Sequence, residues 1–217
     1  MTQLLAYNVA VGGSSANPPT IAHLEFAKAL MLCDHFDYVL WYPCGTRNDK
    51  VCGVEPQHRA EMSRATFAQL ERGMPKRKRH SRFDLRMHDV FGENTRTLDR
   101  VEEIALEFRG ANVYWFTGID VLVPQDKYDG RCEVEAMWSG GEELLREWPV
   151  AIVPRAGISD SLNLALHPSS IVIQTKLPDC SSSEVRRRIL AGEPFEHLLV
   201  PQVAAQIKQN GLYGYKI

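Results

Sequence analysis

Short apolar runs alternate with helical patterns from one end of this sequence to the other, and that alternation limits the fold more than any other feature. Residues 4–11 form an apolar run broken only by Asn8, and Gly12-Gly13 follow it. Such a run suits a parallel strand buried on both faces and ending in a tight turn. Over 20–33, Ile21, Leu24, Ala27, Leu30 and Met31 recur at helical spacing and predict a helix with one apolar face. The same reading predicts strands over 38–42, 83–87, 112–117, 150–153 and 170–175. It predicts helices over 58–70, 97–108, from Ser181 onward and over 200–209. Parallel neighbours need crossover connections, so this order points to a doubly wound parallel α/β sheet. With 217 residues, no internal repeat and no linker, the chain reads as one domain, 1–217. The stretches 73–82 and 124–132 read as surface loops, and the basic run Lys76, Arg77, Lys78 and Arg79 as a solvated part of the first.

Charge and cysteine usage narrow the function classes. A formal net charge of −2 provides no global field toward nucleic acid or an anionic membrane. Cys33, Cys44, Cys52, Cys132 and Cys180 form no CxxC pair, which suits reduced thiols in a cytoplasmic protein. No stretch approaches the ~18 apolar residues of a membrane span. The first seven residues lack the charged start of a secretion signal. His35, His80, His88, His167 and His197 show no ligand spacing, so no protein-built metal site is expected.

Two segments have the chemistry of phosphate binding. Gly12, Gly13, Ser14, Asn17, Thr20 and His23 lie between the first strand and the first helix. Glycines let backbone N–H groups approach an anion, and a helix N-terminus attracts it. Thr20 and His23 are three apart and share one face of the first turn. The spacing is neither a dinucleotide fingerprint nor a Walker A loop. The second segment, Ser181, Ser182, Ser183, Glu184 and Arg186, follows an apolar strand. Ser181 and Glu184 have the spacing of a capping box. Arginines in the first turns of a helix oppose its dipole, and a bound polyphosphate would reverse that conflict. Arg187 and Arg188 point elsewhere around the helix.

The ordered set resembles the nicotinamide/nicotinate mononucleotide adenylyltransferase family over nearly the whole chain. The matching pieces are Gly13, Asn17-Pro18, Thr20 with His23, Lys50, His58-Arg59-Ala60-Glu61-Met62, and Gly118-Ile119-Asp120. They continue with Trp138, Arg155-Ala156-Gly157, Cys180 to Arg186, Leu199-Val200-Pro201, and the ending Leu212-Tyr213. The family's Tyr-Thr-x-x-Thr appears here as Asn94-Thr95-Arg96-Thr97, without the tyrosine. The resemblance implies a Rossmann-like nucleotidyltransferase fold and transfer of AMP from Mg²⁺–ATP to a pyridine mononucleotide, with release of pyrophosphate. It implies that Thr20, His23 and Arg186 serve catalysis. Gly12, Gly13, Ser14, Lys50, Ser181, Ser182, Ser183, Gly118 and Asp120 would hold ATP. Asn17, Arg59, Asn94, Thr95, Trp138 and Arg155 would hold the mononucleotide, with Trp138 stacked on its base. The expected partners are these small molecules, and a homo-oligomer is compatible with the sequence. Rival readings are a related nucleotidyltransferase with a phosphopantetheine or phospho-alcohol acceptor, and a silent nucleotide binder.

Overall fold

The computed structural model describes residues 7–45, 53–70, 72, 74, 81–155 and 164–216. Six parallel strands form one sheet: β1 (Asn8–Ser14), β2 (Tyr38–Pro43), β3 (Arg82–Leu85), β4 (Asn112–Gly118), β5 (Val150–Val153) and β6 (Ile171–Val172). Their order is β3-β2-β1-β4-β5-β6, the doubly wound arrangement expected from the alternating pattern. Among the described residues seven α-helices accompany them: α1 (Ile21–Leu32), α2 (Pro56–Phe67), α3 (Thr97–Glu107), α4 (Glu133–Met137), α5 (Gly141–Glu147), α6 (Ser182–Ala191) and α7 (Pro201–Gln209). Among the described residues no helix is long and apolar enough to cross a membrane.

Strand side chains alternate between two cores, because successive Cβ atoms leave a strand on opposite faces. Ala10, Val39, Trp41, Tyr114, Phe116, Ala151 and Val153 pack under α1, α2, α6 and α7. Val9, Val11, Leu40, Tyr42, Val113, Trp115, Val150 and Ile152 pack under α3, α4 and α5. Burial on both faces explains why the strands read as continuous apolar runs. Below the first group of helices sits an aromatic block. The Trp41 ring lies 5.0 Å from Phe67, 5.1 Å from Phe116 and 5.7 Å from Phe26.

Several local expectations change. Gly12 and Gly13 do not form a turn after β1. They belong to the strand, level with Trp41 and Tyr42 of β2. Their lack of a side chain answers a packing demand. A Cβ on Gly12 would stand 2.8 Å from the Phe116 ring, and one on Gly13 would stand 1.7 Å from the Tyr42 carbonyl oxygen. β6 covers only Ile171–Val172 of the predicted 170–175. The stretch 124–132 is not wholly surface loop: a 3₁₀ turn forms over Asp126–Tyr128, and Cys132 is buried as the N-cap of α4. The short helices α4 and α5 escaped the periodicity reading because neither is long enough to repeat an apolar face. The basic run Lys76 to Arg79 lies outside the described residues, as does Lys50.

The glycine contacts give a direct stability test. Gly13→Ala should lower the free energy of unfolding by about 2–3 kcal/mol or abolish folding, since backbone must move to admit a methyl group. Gly92→Ala, where nothing lies within 4 Å of the new Cβ, should stay within ~0.5 kcal/mol of the parent chain. Urea unfolding of the two variants checks the contrast, and equal losses would remove the close-approach explanation.

Candidate active site

In this strand order β1 leads through α1 toward β2, while its other neighbour β4 leads away toward β5. The carboxyl ends of β1 and β4 therefore open a crevice, the usual ligand position of such a sheet. Most of the sequence-predicted residues gather at this end of the sheet.

α1 begins there with Thr20 as N-cap and His23 in its first turn. The Thr20 backbone N–H donates to His23 Nδ1 at 3.0 Å, and the Thr20 hydroxyl lies 2.9 Å from the same nitrogen. With Nδ1 engaged as an acceptor, the neutral ring carries its proton on Nε2. Burial, helped by the positive charge of Arg155, pushes the His23 pKa down to about 4. The imidazole is thus neutral near pH 7 and fixed as an N–H donor, not an acid or a cation. Thr20 itself is fully buried. Its hydroxyl serves the histidine.

Arg155 follows the end of β5 and reaches across to Asp120, beyond the end of β4, at 3.4 Å. Both side chains are exposed, so their pairing is weak and easily exchanged for a ligand. Gly118 lies beside them, and a Cβ there would meet Asp120 Oδ1 at 2.4 Å. Ser14, the last residue of β1, has a buried hydroxyl without a partner.

α6 delivers the second phosphate segment to the same place. Ser181 caps it by accepting the Glu184 N–H at 3.1 Å. The return arm of the predicted capping box is not made: Glu184 holds Arg187 at 2.8 Å and Arg188 at 2.7 Å instead. Those two arginines are therefore turned away, as their helical positions implied. Arg186 donates to the Asn17 carbonyl at 2.6 Å and to Ser183 Oγ at 3.2 Å. The Ser182 hydroxyl donates to the Pro18 carbonyl at 2.8 Å. Asn17 is buried, and its Oδ1 accepts from the Tyr213 hydroxyl at 2.7 Å. The two phosphate segments, more than 150 residues apart in the chain, are thus joined by direct contacts.

A second group collects around the start of α3. Arg96 donates to Ser139 Oγ at 3.2 Å, which brings the Asn94–Thr95 segment beside the turn that carries Trp138. Trp138 is partly buried, packs 6.0 Å from Trp115 and lines a shallow depression with Glu135 and Arg146. Thr95 Oγ1 accepts from Arg100 at 2.8 Å and lies 3.4 Å from Asp89 Oδ1. Arg100 and Asp89 form a buried ion pair at 2.5 Å, with the guanidinium 4.2 Å from the Tyr42 ring centroid. Arg59 is 1 % exposed and holds backbone: its guanidinium donates to the Cys44 carbonyl at 2.6 Å and toward that of Val90. In this arrangement it braces the loops behind the segment and touches no open surface. Sequence reading missed Asp89 and Arg100. The available signal was an arginine one residue from Val101 on an otherwise apolar helix face, where a charge needs a buried partner.

No protein-family model matches the chain. Curated relatives do. A protein named probable nicotinate-nucleotide adenylyltransferase from Carboxydothermus hydrogenoformans is 28% identical, covering 94% of this chain and 97% of its own. One of the same name from Neisseria meningitidis serogroup B is 25% identical over 93% and 96%. Among solved structures, nicotinic acid mononucleotide adenylyltransferase from Plasmodium falciparum complexed with NaAD superposes with a TM-score of 0.74 at 22% identity, over 97% of this chain and 98% of that one. The same enzyme complexed with APC gives 0.70 at 19% identity. The likeness to curated relatives covers 94% of this chain and that to the solved structure 97%, and the fold is the Rossmann-like nucleotidyltransferase fold.

The neutral state of His23 has a testable sign. In the unfolded chain this imidazole takes up a proton as pH falls through about 6.5, but in the folded chain only near 4. Unfolding therefore gains on folding between those values, and the stability associated with a neutral His23 is present above pH 6.5 and lost as pH falls toward 4. The stability advantage of the parent chain over His23→Asn should shrink by about 1–2 kcal/mol between pH 7 and pH 5. Urea melts of both proteins at the two pH values measure it; parallel losses would show a histidine that is not held neutral.

Proposed function

We propose that this chain, similar throughout its length to nicotinate-nucleotide adenylyltransferases, transfers AMP from ATP to nicotinate or nicotinamide mononucleotide. The products are the dinucleotide and pyrophosphate. The observation that carries this reading is the neutral His23 donor, set by Thr20 at the start of α1 and joined through Asn17 to Arg186 of α6. One oxygen of the mononucleotide phosphate attacks the α-phosphorus of ATP in line, and the bond from that phosphorus to the bridging oxygen of pyrophosphate breaks. The attacking phosphate is already an anion at neutral pH, so the reaction needs no strong base. What it needs is alignment and donors where negative charge gathers.

His23 donates from Nε2 to the triphosphate, and Thr20 orients the ring. The Ser14 hydroxyl at the end of β1 and the Ser181–Ser183 turn at the start of α6 receive phosphate oxygens, while Gly12 and Gly13 keep the ATP-binding end of β1 close to its neighbours. Arg186 and Arg155 neutralise charge, and Lys50 adds to it. Gly118 and Asp120 border the nucleotide at the end of β4. The mononucleotide lies toward Asn94, Thr95 and Trp138, with Asn17 between the two substrates and Arg59 bracing the wall. Among the described residues no cluster of three or more His, Cys, Asp or Glu stands ready as a metal cage. The residues present fit Mg²⁺ entering on the phosphate oxygens of ATP, where it would screen their charge. The proposed partners are these small molecules, in a cytoplasmic setting, with the chain acting as one domain.

Purified protein with Mg²⁺–ATP should release pyrophosphate when given nicotinate or nicotinamide mononucleotide. Release with phosphopantetheine alone would reject the pyridine acceptor. His23→Ala should lower kcat by about two to three orders of magnitude while changing ATP affinity much less, because its contact strengthens in the transition state. Calorimetric titration beside steady-state kinetics separates these; equal small losses in both would mark uniform binding. Trp138→Ala should raise KM for the mononucleotide by up to about tenfold and leave that for ATP nearly unchanged. Equal effects on both substrates would make it a packing residue.

A further inference from the structure

We infer that Tyr213 is a positioning residue for the transfer reaction, its hydroxyl holding Asn17 and thereby the segment that presents Thr20 and His23. The inference rests on the activity proposed above.

The Tyr213 hydroxyl donates to Asn17 Oδ1 at 2.7 Å across 196 residues of chain. Asn17 is 6% exposed, so the orientation of its amide is set by protein and not by solvent. Its carbonyl is held separately by Arg186, and the carbonyl of Pro18 by Ser182. The C-terminal part of the chain thus grips both ends of one residue, three positions before Thr20.

The turn that carries Tyr213 is built for aim. It follows α7 as a tight turn over Leu212–Gly214. Tyr213 adopts φ 60° and ψ 22°, a left-handed conformation unfavourable for a bulky side chain, between Gly211 at φ 59° and Gly214 at φ 80°. Leu212 is buried in the core beside α6 and α7, which fixes the base of the turn. Packing alone would be served by phenylalanine, since the half-buried ring lies against that same core. The hydroxyl is the part that packing does not require, and it meets Asn17. Strain kept at a residue that touches a site segment is what a fold retains when geometry there matters. Because Tyr213 acts through Asn17 and does not touch the reacting phosphates, its effect belongs in turnover and not in ATP binding.

Tyr213→Phe removes one oxygen atom and keeps the ring. It is expected to lower kcat about fivefold to tenfold, the range of one neutral hydrogen bond, with KM for ATP changed less than about twofold. The thermal midpoint should stay close to that of the parent chain. Amide hydrogen exchange in peptides spanning residues 14–23 should be faster in the variant. In an Asn17→Ala background the same change should have no further effect on kcat. Unchanged exchange would overturn the tether. Unchanged kcat, or full additivity with Asn17→Ala, would overturn its role in positioning. If the parent chain released no pyrophosphate with either pyridine mononucleotide, the activity proposal would fall and take the positioning role with it. The exchange result would still decide the tether separately.

Discussion

The backbone of β1 passes so close to Tyr42 that no side chain fits at residue 13. Much of the site depends on that approach. It keeps β1 paired with β2 through Ser14, so the loop of residues 15–19 starts from a fixed point at the crevice. Phe116 occupies the space that a Cβ on Gly12 would need, and with Trp41, Phe26 and Phe67 it forms a rigid aromatic floor. His23 stands edge-on to the same Trp41 at 6.4 Å, so the floor that shapes the sheet also supports the donor.

Cationic side chains divide into two populations. Arg59 and Arg100 are buried and hold backbone or carboxylate partners. Breaking a buried pair of this kind commonly costs ~3–5 kcal/mol, because it leaves an uncompensated charge. Arg86 is similarly tied, by Glu107 and Asp84. Arg155 and Arg186 differ. One has a weak, exposed ion pair, and the other, among the described residues, donates to a carbonyl and a hydroxyl. Among the described residues, Asp120 is the carboxylate paired with this positive charge, and that pairing is weak and exposed. Burial is the main cause of the depressed proton affinity of His23, and the nearby charge of Arg155 adds to it.

The sequence made the sheet legible because burial on both faces leaves an unmistakable mark on strands such as 38–42 and 150–153. Thr20, His23 and Arg186 were legible because helix starts have their own chemistry. Distance in the chain hid the rest. No local pattern announces that Arg186 meets Asn17 or that Arg96 meets Ser139. The glycine pair was misread for the same reason. A glycine needed for a tight turn and one needed for a close neighbour look alike until Tyr42 and Phe116 are in place. Arg59 showed the reverse: its motif suggested a ligand contact, and the fold gives it a bracing position beneath the surface.

The two borders of the sheet bear on how this molecule behaves in a crowded solution. β3 turns Arg82 and Asp84 outward in alternation with half-buried Phe83 and Leu85, and β6 is two residues long. Open strand edges are templates on which other chains can add strands of their own. Here one border carries charge of both signs and the other provides almost no ladder. At both borders, then, the described residues provide little flat, uncharged backbone on which a second chain could extend the sheet.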